Sequence, residues 1–251
     1  MAFFWRTSPL TSHERWFKNI GTKNTQPGTS APSLADVWAG PLAVMETLES
    51  VEALHDFVWQ SASVEAQTAF DEHRGGLRNH DLLLTGNAAG GPTVVSIEAK
   101  VDERFGETLA AYRDAAHQTI EAGKASNAEA RLDGLLDAFA PEADAKALHA
   151  LRFQLFSGVA GAVAAAVDAG AAHAVFLVHE LITDQSEGVR RAENAADLRA
   201  FASLVFGLDV PASGSWCRRV TFKGNTRLDP KIALYVGKVT TRLTSDRFPT
   251  H

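Results

Sequence analysis

Two apolar, alternating segments joined by a glycine-rich link constrain the fold of this chain more than any other feature. The first segment covers residues 80–85, the second covers residues 93–101, and the link is residues 86–92. Alternation of apolar and polar residues is typical of strands, and a short link rich in Gly, Pro and Asn between two such runs predicts a β-hairpin. With the turn in the middle of the link, antiparallel pairing places Asp81 beside Glu98.

The predicted hairpin gathers charged side chains at one end. Side chains alternate between the faces of a strand, so Glu98 and Lys100 share one face while Ile97 and Ala99 occupy the other. Two carboxylates that face each other on adjacent strands, here Asp81 and Glu98, are destabilising unless something neutralises them, and a divalent cation with oxygen ligands does so. This arrangement suits metal-assisted hydrolysis of a phosphodiester, in which carboxylates hold Mg²⁺, the metal activates water and a lysine steadies the nucleophile or the charge on phosphate.

These residues resemble the signature of the PD-(D/E)XK nuclease superfamily, the restriction-endonuclease-like fold. That signature is an acidic residue on one strand and an acid-x-Lys tripeptide on the next, which Asp81, Glu98 and Lys100 match. His80 stands where the family name has proline, a position at which members vary. The resemblance implies an α/β fold of the α+β type, with an αβββαβ core, a mixed sheet flanked by helices, and additional helices and C-terminal strands.

A second element of the resemblance lies on the long apolar helix predicted within residues 141–170. Several members of the superfamily carry a glutamine on the helix after the hairpin, often followed by leucine, and Gln154 and Leu155 match this pair. Gly158 stands where some exonuclease-like branches have tyrosine, so the subfamily stays open.

The resemblance implies a nuclease that hydrolyses phosphodiester bonds of nucleic acid, with DNA favoured. It assigns the metal, Mg²⁺ or Mn²⁺, to Asp81 and Glu98, the positioning of the attacking water to Lys100, and the support of the site to Gln154. Many members pair as homodimers to cut two strands. The alternative is a catalytically inactive nuclease-fold protein that serves as a binding or assembly module, which the net charge of −6 favours.

The distribution of charge bears on nucleic-acid binding, because affinity for nucleic acid comes largely from Lys and Arg that neutralise phosphates. Eight basic residues follow position 217, against two acidic residues, although the whole chain is acidic. This segment predicts either a basic face attached to an acidic body or edge strands that alternating Arg and Lys keep soluble.

Four further residues have two readings each. Glu65 and Glu72 lie in a helix predicted at about residues 63–73. Either one supplies a further carboxylate to the metal, or both belong to the solvent-exposed face of that helix. Arg152 meets a carboxylate or phosphate of the site or a structural ion-pair partner, since a buried charge needs one. His179 borders the site or is packed beside a core strand.

Three regions follow from the remaining pattern. An N-terminal arm with helices covers residues 1–60, the nuclease-like core covers residues 61–182, and a C-terminal helix with basic strands covers residues 183–251. Helices are predicted at about residues 33–50, 51–59, 63–73, 107–122, 127–139, 141–170 and 194–207, and further strands at 173–182, 216–222 and 232–243.

Length, cysteine content and hydropathy predict a soluble cytoplasmic protein. A chain of 251 residues with 45% hydrophobic content can bury a sizeable core, and its single cysteine, Cys217, cannot form an internal disulfide. The longest apolar run, residues 155–167, has 13 residues, fewer than the roughly 20 needed to cross a bilayer. No signal peptide is expected from the first residues. The sequence also lacks a Gly-x-Ser-x-Gly elbow, a phosphate loop and paired Cys or His at zinc spacing, so other catalytic classes find no support.

Overall fold

One β-sheet organises the protein. The computed structural model describes residues 2–5, 8–10, 41–184, 186 and 188–243. The strands are β1 (Ala2–Trp5), β2 (Ser8–Leu10), β3 (Val58–Thr68), β4 (Arg78–Ala88), β5 (Gly91–Lys100), β6 (His173–Ile182), β7 (Trp216–Val220) and β8 (Ala233–Arg242). The helices are α1 (Leu42–Glu49), α2 (Leu109–Glu121), α3 (Ala128–Phe139), α4 (Ala145–Leu148), α5 (Phe153–Asp168) and α6 (Gly188–Phe206), with a 3₁₀ turn at Glu52–Leu54.

The sheet has eight strands in the order β2-β1-β3-β4-β5-β6-β8-β7. Strands β3, β4 and β5 form an antiparallel meander, whereas β5, β6 and β8 run parallel to one another and β7 pairs antiparallel at the edge. From α1 through β3, β4, β5 and α5 to β6 the chain has the order helix, three strands, helix and strand, with α2, α3 and α4 inserted, although the helix predicted to precede the strands, at residues 63–73, does not form. The predicted fold class, an α+β protein with a mixed sheet flanked by helices, is confirmed.

The predicted hairpin is also confirmed. Strands β4 and β5 pair from Ala88 and Gly91 at the turn to Leu82 and Ile97 at the far end. Gly91 has a φ of +121°, a conformation that glycine adopts readily and other residues rarely do. This register brings Asp81 next to the Glu98 position, as the sequence predicted.

The helices predicted at residues 51–59 and 63–73 are wrong. Strand β3 takes up the end of the first range and the first half of the second, and only the short 3₁₀ turn Glu52–Leu54 is helical there. Its buried positions alternate, at Ala62, Val64, Ala66 and Thr68, which is the period of a strand with one face on the core. The prediction failed because Ala, Glu and Gln favour helices locally, whereas pairing with β1 and β4 decides the structure.

The long helix predicted at residues 141–170 is two helices. Helix α4 ends at Leu148 and α5 begins at Phe153. The connecting residues turn to pair with the segment before α2, since the Leu109 N–H donates to the Leu151 carbonyl at 2.8 Å. These tertiary hydrogen bonds outweigh the helical pattern that continues through the sequence.

The start of α6 is a further correction. The helix begins at Gly188, so Asn194 lies inside it and is not its N-cap. Its predicted end is confirmed, because Phe206 is the last helical residue and Gly207 follows with a φ of +65°. The predictions of α2, α3, β6, β7 and β8 are confirmed within a few residues. The predicted cap at Ser33 lies outside the described residues.

Helices cover the two faces of the sheet unequally. Helices α2 to α6 pack on one face, around a core that includes Phe105, Phe156 and Phe201. Helix α1 packs on the other face, where Val44 and Leu48 join a separate cluster. Below, the two sides are called the α5 face and the α1 face.

No helix within the described ranges is long and apolar enough to cross a membrane.

Candidate active site

A break in strand β4 positions the candidate site. Residues two apart on a strand normally share a face, yet Leu82 packs in the core of the α1 face while His80 hydrogen-bonds Ser96 on the α5 face. On the neighbouring strand β3, Glu65 lies opposite the break and has a φ of +51°, a left-handed conformation that is strained for a residue with a side chain. The local twist turns the first residues of β4 toward α5.

Asp81 lies at this break. The pairing of β4 with β5 ends at Leu82 and Ile97, and the next interaction is a side-chain one, in which the Ala99 N–H donates to Asp81 Oδ2 at 2.7 Å. Asp81 is partly buried, and Glu98 is 3% exposed. The structure therefore brings together the two acidic residues that the sequence predicted as neighbours.

Glu98 is surrounded by donors. Its Oε1 lies 2.8 Å from Lys100 Nζ and accepts a hydrogen bond from Gln154 Nε2 at 2.6 Å. Its Oε2 accepts from Arg78 Nη2 in a buried ion pair. Three of the four predicted site residues thus meet at one carboxylate, and Asp81 is beside them.

Arg78 is the member of this charge cluster that sequence reasoning missed. It is 8% exposed at the start of β4, and its position before the predicted segment gave no reason to include it. Gly161 on α5 permits the close approach of β4, a contact that only the structure reveals. A Cβ atom at Gly161 would lie 2.6 Å from Arg78 Cγ and 2.8 Å from His80 Cε1.

Helix α5 positions Gln154 from its first turn. The helix follows Arg152, whose extended backbone turns the chain toward the sheet, and Phe153 is its first residue. The Gln154 amide nitrogen reaches Glu98, while its Oε1 is buried and has no hydrogen-bond partner among the described residues. An unsatisfied buried oxygen is unfavourable by about 1–3 kcal/mol.

The pKa values of the two carboxyl groups are shifted in opposite directions. Burial raises the pKa of Asp81 well above its ordinary value, and the negative charge of Glu98 adds to the rise, although Lys100 opposes it. Burial alone would raise the pKa of Glu98 too, but Arg78 and Lys100 outweigh it and lower that pKa. Glu98 is therefore the ionised member of the pair, and Asp81 is the member that retains a proton more readily.

A buried, neutral histidine, His80, connects the three strands next to the site. His80 Nδ1 lies 2.7 Å from Ser96 Oγ and His80 Nε2 lies 3.1 Å from Thr68 Oγ1, so the ring links β3, β4 and β5. Burial, and then the charge of Arg78, lower the pKa of His80 to about 3. The ring is fully buried and satisfied by hydrogen bonds, which gives it a structural role.

A second group of charges lies next to Lys100 on β6 and β8. Glu180 is the register partner of Lys100; its Oε2 lies 3.1 Å from Lys238 Nζ, and its Oε1 lies 3.4 Å from Arg191 Nε. His179 points away from this group and pairs with Thr241 Oγ1 at 2.9 Å, and burial lowers the pKa of His179 to about 4. Glu180 therefore borders the site, whereas the adjacent residue His179 does not.

Of the other residues with two interpretations, Arg152 and Glu65 have identifiable partners and Glu72 is exposed. Arg152 Nε donates to Asp197 Oδ2 at 2.8 Å and its Nη1 to the Gly106 carbonyl at 2.9 Å, which is a structural ion pair. Glu65 accepts a hydrogen bond from Asn79 Nδ2. Glu72 lies in the exposed loop after β3, where no helix forms.

The donor atoms of the site suit a hard divalent cation. Mg²⁺ is usually held by one or two carboxylates together with waters and substrate phosphates. Asp81 and Glu98 supply two carboxylates, and the unsatisfied Oε1 of Gln154 is a third oxygen nearby. Within the described part of the chain, no group of three or more His, Cys, Asp or Glu could hold a metal. A cation at this position would therefore have at most two carboxylate ligands from the described residues, Asp81 and Glu98.

The fold and the site define an α+β protein with a buried network of paired charges at one end of its sheet. The chain belongs to the DUF6946 family, described as a domain of unknown function, whose profile matches residues 9–243. Comparison with curated proteins and with solved structures found no match.

Proposed function

We propose that this protein is a Mg²⁺- or Mn²⁺-dependent nuclease that hydrolyses phosphodiester bonds of nucleic acid, with DNA favoured. One observation carries the proposal. Two carboxylates, an ammonium group and an amide, from Asp81, Glu98, Lys100 and Gln154, converge at one end of the β4–β5 hairpin. This is the set of groups that metal-assisted phosphodiester hydrolysis needs.

Each residue has a distinct role in this proposal. Asp81 and Glu98 would hold the metal, which when bound supplies Lewis acidity toward a phosphate oxygen and lowers the pKa of a water. The Lys100 ammonium group donates a hydrogen bond to the attacking water or to the charge that develops on phosphate. Gln154 holds the Glu98 carboxylate in orientation through its amide nitrogen.

The electrostatics of the site support this assignment. With Asp81 protonated, the cluster of Arg78, Lys100 and Glu98 carries a net positive charge, which attracts an anionic phosphodiester. Entry of a divalent cation would favour release of the Asp81 proton, because the cation stabilises the carboxylate that burial disfavours.

A second candidate function is a catalytically inactive nuclease-fold protein that acts as a binding or assembly module. The observation in its favour is that both oxygens of Glu98 already interact with cationic side chains. Basic residues of the C-terminal segment are partly neutralised as well, since Lys223 pairs with Asp137 at 2.5 Å and Arg227 with Asp168 at 2.7 Å.

Calorimetric titration with Mn²⁺ and a cleavage assay on DNA and RNA test the proposal. We expect Mn²⁺ to bind, and Lys100→Ala to lower the cleavage rate by about a hundredfold or more while the circular dichroism spectrum stays unchanged. Lys124→Ala is the matched control, because Lys124 is exposed in the loop after α2, outside both the candidate site and the basic C-terminal segment. An equal rate in Lys100→Ala and wild type, or no Mn²⁺ binding to the wild type, would contradict the nuclease assignment.

A further inference from the structure

The guanidinium group of Arg78 is only partly used. Its Nη2 donates to Glu98 Oε2, but its Nε is buried and has no hydrogen-bond partner among the described residues. In an arginine side chain, Nε and Nη2 form one edge of the planar fork, and this edge matches two oxygens of a carboxylate or phosphate. In this edge of Arg78, Glu98 Oε2 therefore pairs with Nη2 alone, and Nε has no acceptor among the described residues.

The position of Arg78 is fixed at its stem and not at its tip. Gly161 allows the Arg78 Cγ to approach helix α5 so closely that any Cβ there would collide with it. Glu98 is the one ion-pair partner of its guanidinium group among the described residues. The tip can therefore exchange partners by rotation of its terminal bonds while the stem stays in place.

From this geometry we propose that Arg78 binds a non-bridging oxygen pair of the substrate phosphate, and that Glu98 occupies this fork in the substrate-free protein. The inference rests on the proposed nuclease function. In the metal-free state Arg78 and Lys100 neutralise Glu98. A divalent cation held by Asp81 and Glu98 would supply that neutralisation instead, and the Arg78 fork would then be free to present both Nε and Nη2 to the phosphate.

Arg78 thus weakens metal binding and strengthens substrate binding. Its removal should therefore raise the affinity for the metal and lower the affinity for nucleic acid. In Arg78→Gln, Glu98 loses a competing cation, and we expect Mn²⁺ to bind about tenfold more tightly by calorimetry without nucleic acid. The same variant loses the fork. We expect its affinity for a short fluorescein-labelled DNA duplex, measured in Ca²⁺, to fall about tenfold or more.

Two further variants separate this role from a structural one. Arg78→Lys keeps the positive charge but has no fork, so we expect Mn²⁺ affinity near the wild-type value and weakened DNA binding. Arg113→Gln, which removes an arginine paired with Asp133 on the protein surface, is the control for loss of charge alone. Both of its affinities should match wild type.

The outcomes distinguish the inference from the function on which it rests. If wild type binds Mn²⁺ and cleaves DNA while Arg78→Gln changes neither affinity, or lowers both together with the melting temperature, the role of Arg78 is refuted and the nuclease assignment stands. If wild type binds neither Mn²⁺ nor DNA, the nuclease assignment fails and the inference fails with it. Opposite shifts in Arg78→Gln, with wild-type Mn²⁺ affinity and weak DNA binding in Arg78→Lys, support the inference.

Discussion

The two candidate metal carboxylates should respond differently to isosteric amide substitution. Glu98 is 3% exposed, and its carboxylate neutralises Arg78 and Lys100, whose side chains are 8% and 6% exposed. Removal of one member of a buried ion pair leaves its partner uncompensated, at a cost of about 3–5 kcal/mol. We therefore expect Glu98→Gln to lower the free energy of unfolding of the metal-free protein by about 3–5 kcal/mol.

Asp81→Asn should have little effect or stabilise the metal-free protein. The pKa of Asp81 is raised because burial and the neighbouring Glu98 disfavour its charged form, and asparagine removes that charge. The side-chain oxygen of asparagine still accepts the hydrogen bond from the Ala99 N–H, which is 2.7 Å long in the wild type. We expect an unfolding free energy within about 0.5 kcal/mol of wild type, or higher.

The two substitutions should also be non-additive. In Glu98→Gln the repulsion on Asp81 disappears and two cations remain beside it, so Asp81 ionises and takes over part of the neutralisation. The double variant loses this compensation, and its destabilisation should exceed the sum of the single effects by about 1–2 kcal/mol.

Urea denaturation in the presence of a chelator, followed by tryptophan fluorescence, measures all three variants. The pH dependence gives a second readout. A carboxyl group with a raised folded pKa contributes stability below its unfolded pKa and loses it as pH rises through the folded pKa. Asp81→Asn should therefore flatten the decline in stability above about pH 4. An Asp81→Asn variant as destabilised as Glu98→Gln, or additive single effects, would refute the assignment of charge states.

Two other predictions concern helix α5, beside the site, and the edge strand β7. Gly161→Ala should destabilise the protein by about 1–3 kcal/mol, because its new Cβ would lie 2.6 Å from Arg78 Cγ; an unchanged melting temperature would show that Arg78 is held elsewhere. Arg218→Gln with Arg219→Gln removes two exposed charges from the edge strand β7, and the slope of log affinity for DNA against log salt should become less steep by about 2. An unchanged slope would assign these arginines to edge protection.

The hairpin and the core strands were predictable because their sequence pattern and their environment agree. Strand β6 is buried at every position and has a continuous apolar sequence, burial in β4 alternates up to Gly86, and β5 is buried from Thr93 to Lys100. Strand β3 was not predictable, because Ala, Ser, Gln and Glu make its sequence indistinguishable from that of an amphipathic helix. Its structure depends on the partner strands on both sides, which a local pattern does not contain.

The sequence predicted which charged residues of the hairpin lie together, but it did not predict that Arg78 joins them. The acid on one strand and the acid-x-Lys on the next fixed Asp81, Glu98 and Lys100, since register follows from the turn. Arg78 could not be inferred, because its approach to Glu98 requires the break in alternation at Asp81, opposite the left-handed Glu65. The sequence contains no pattern of residue types that marks the point at which the side chains of a strand change the face of the sheet to which they point.

Several unfavourable features coincide at this one place, and their chemistry favours the enzyme over the binding module. Buried ion pairs stabilise a protein weakly compared with apolar residues of the same volume, and the strained Glu65 and the raised pKa of Asp81 add to the energy of the folded state. Two of the unsatisfied side-chain atoms around the site, one on each side of Glu98, are complementary in kind. Gln154 Oε1 is an acceptor that a cation would complete, and Arg78 Nε is a donor that an anion would complete. A module that used the cluster only for assembly would gain nothing from an unpaired acceptor and an unpaired donor, whereas a metal bound together with a phosphate would satisfy both.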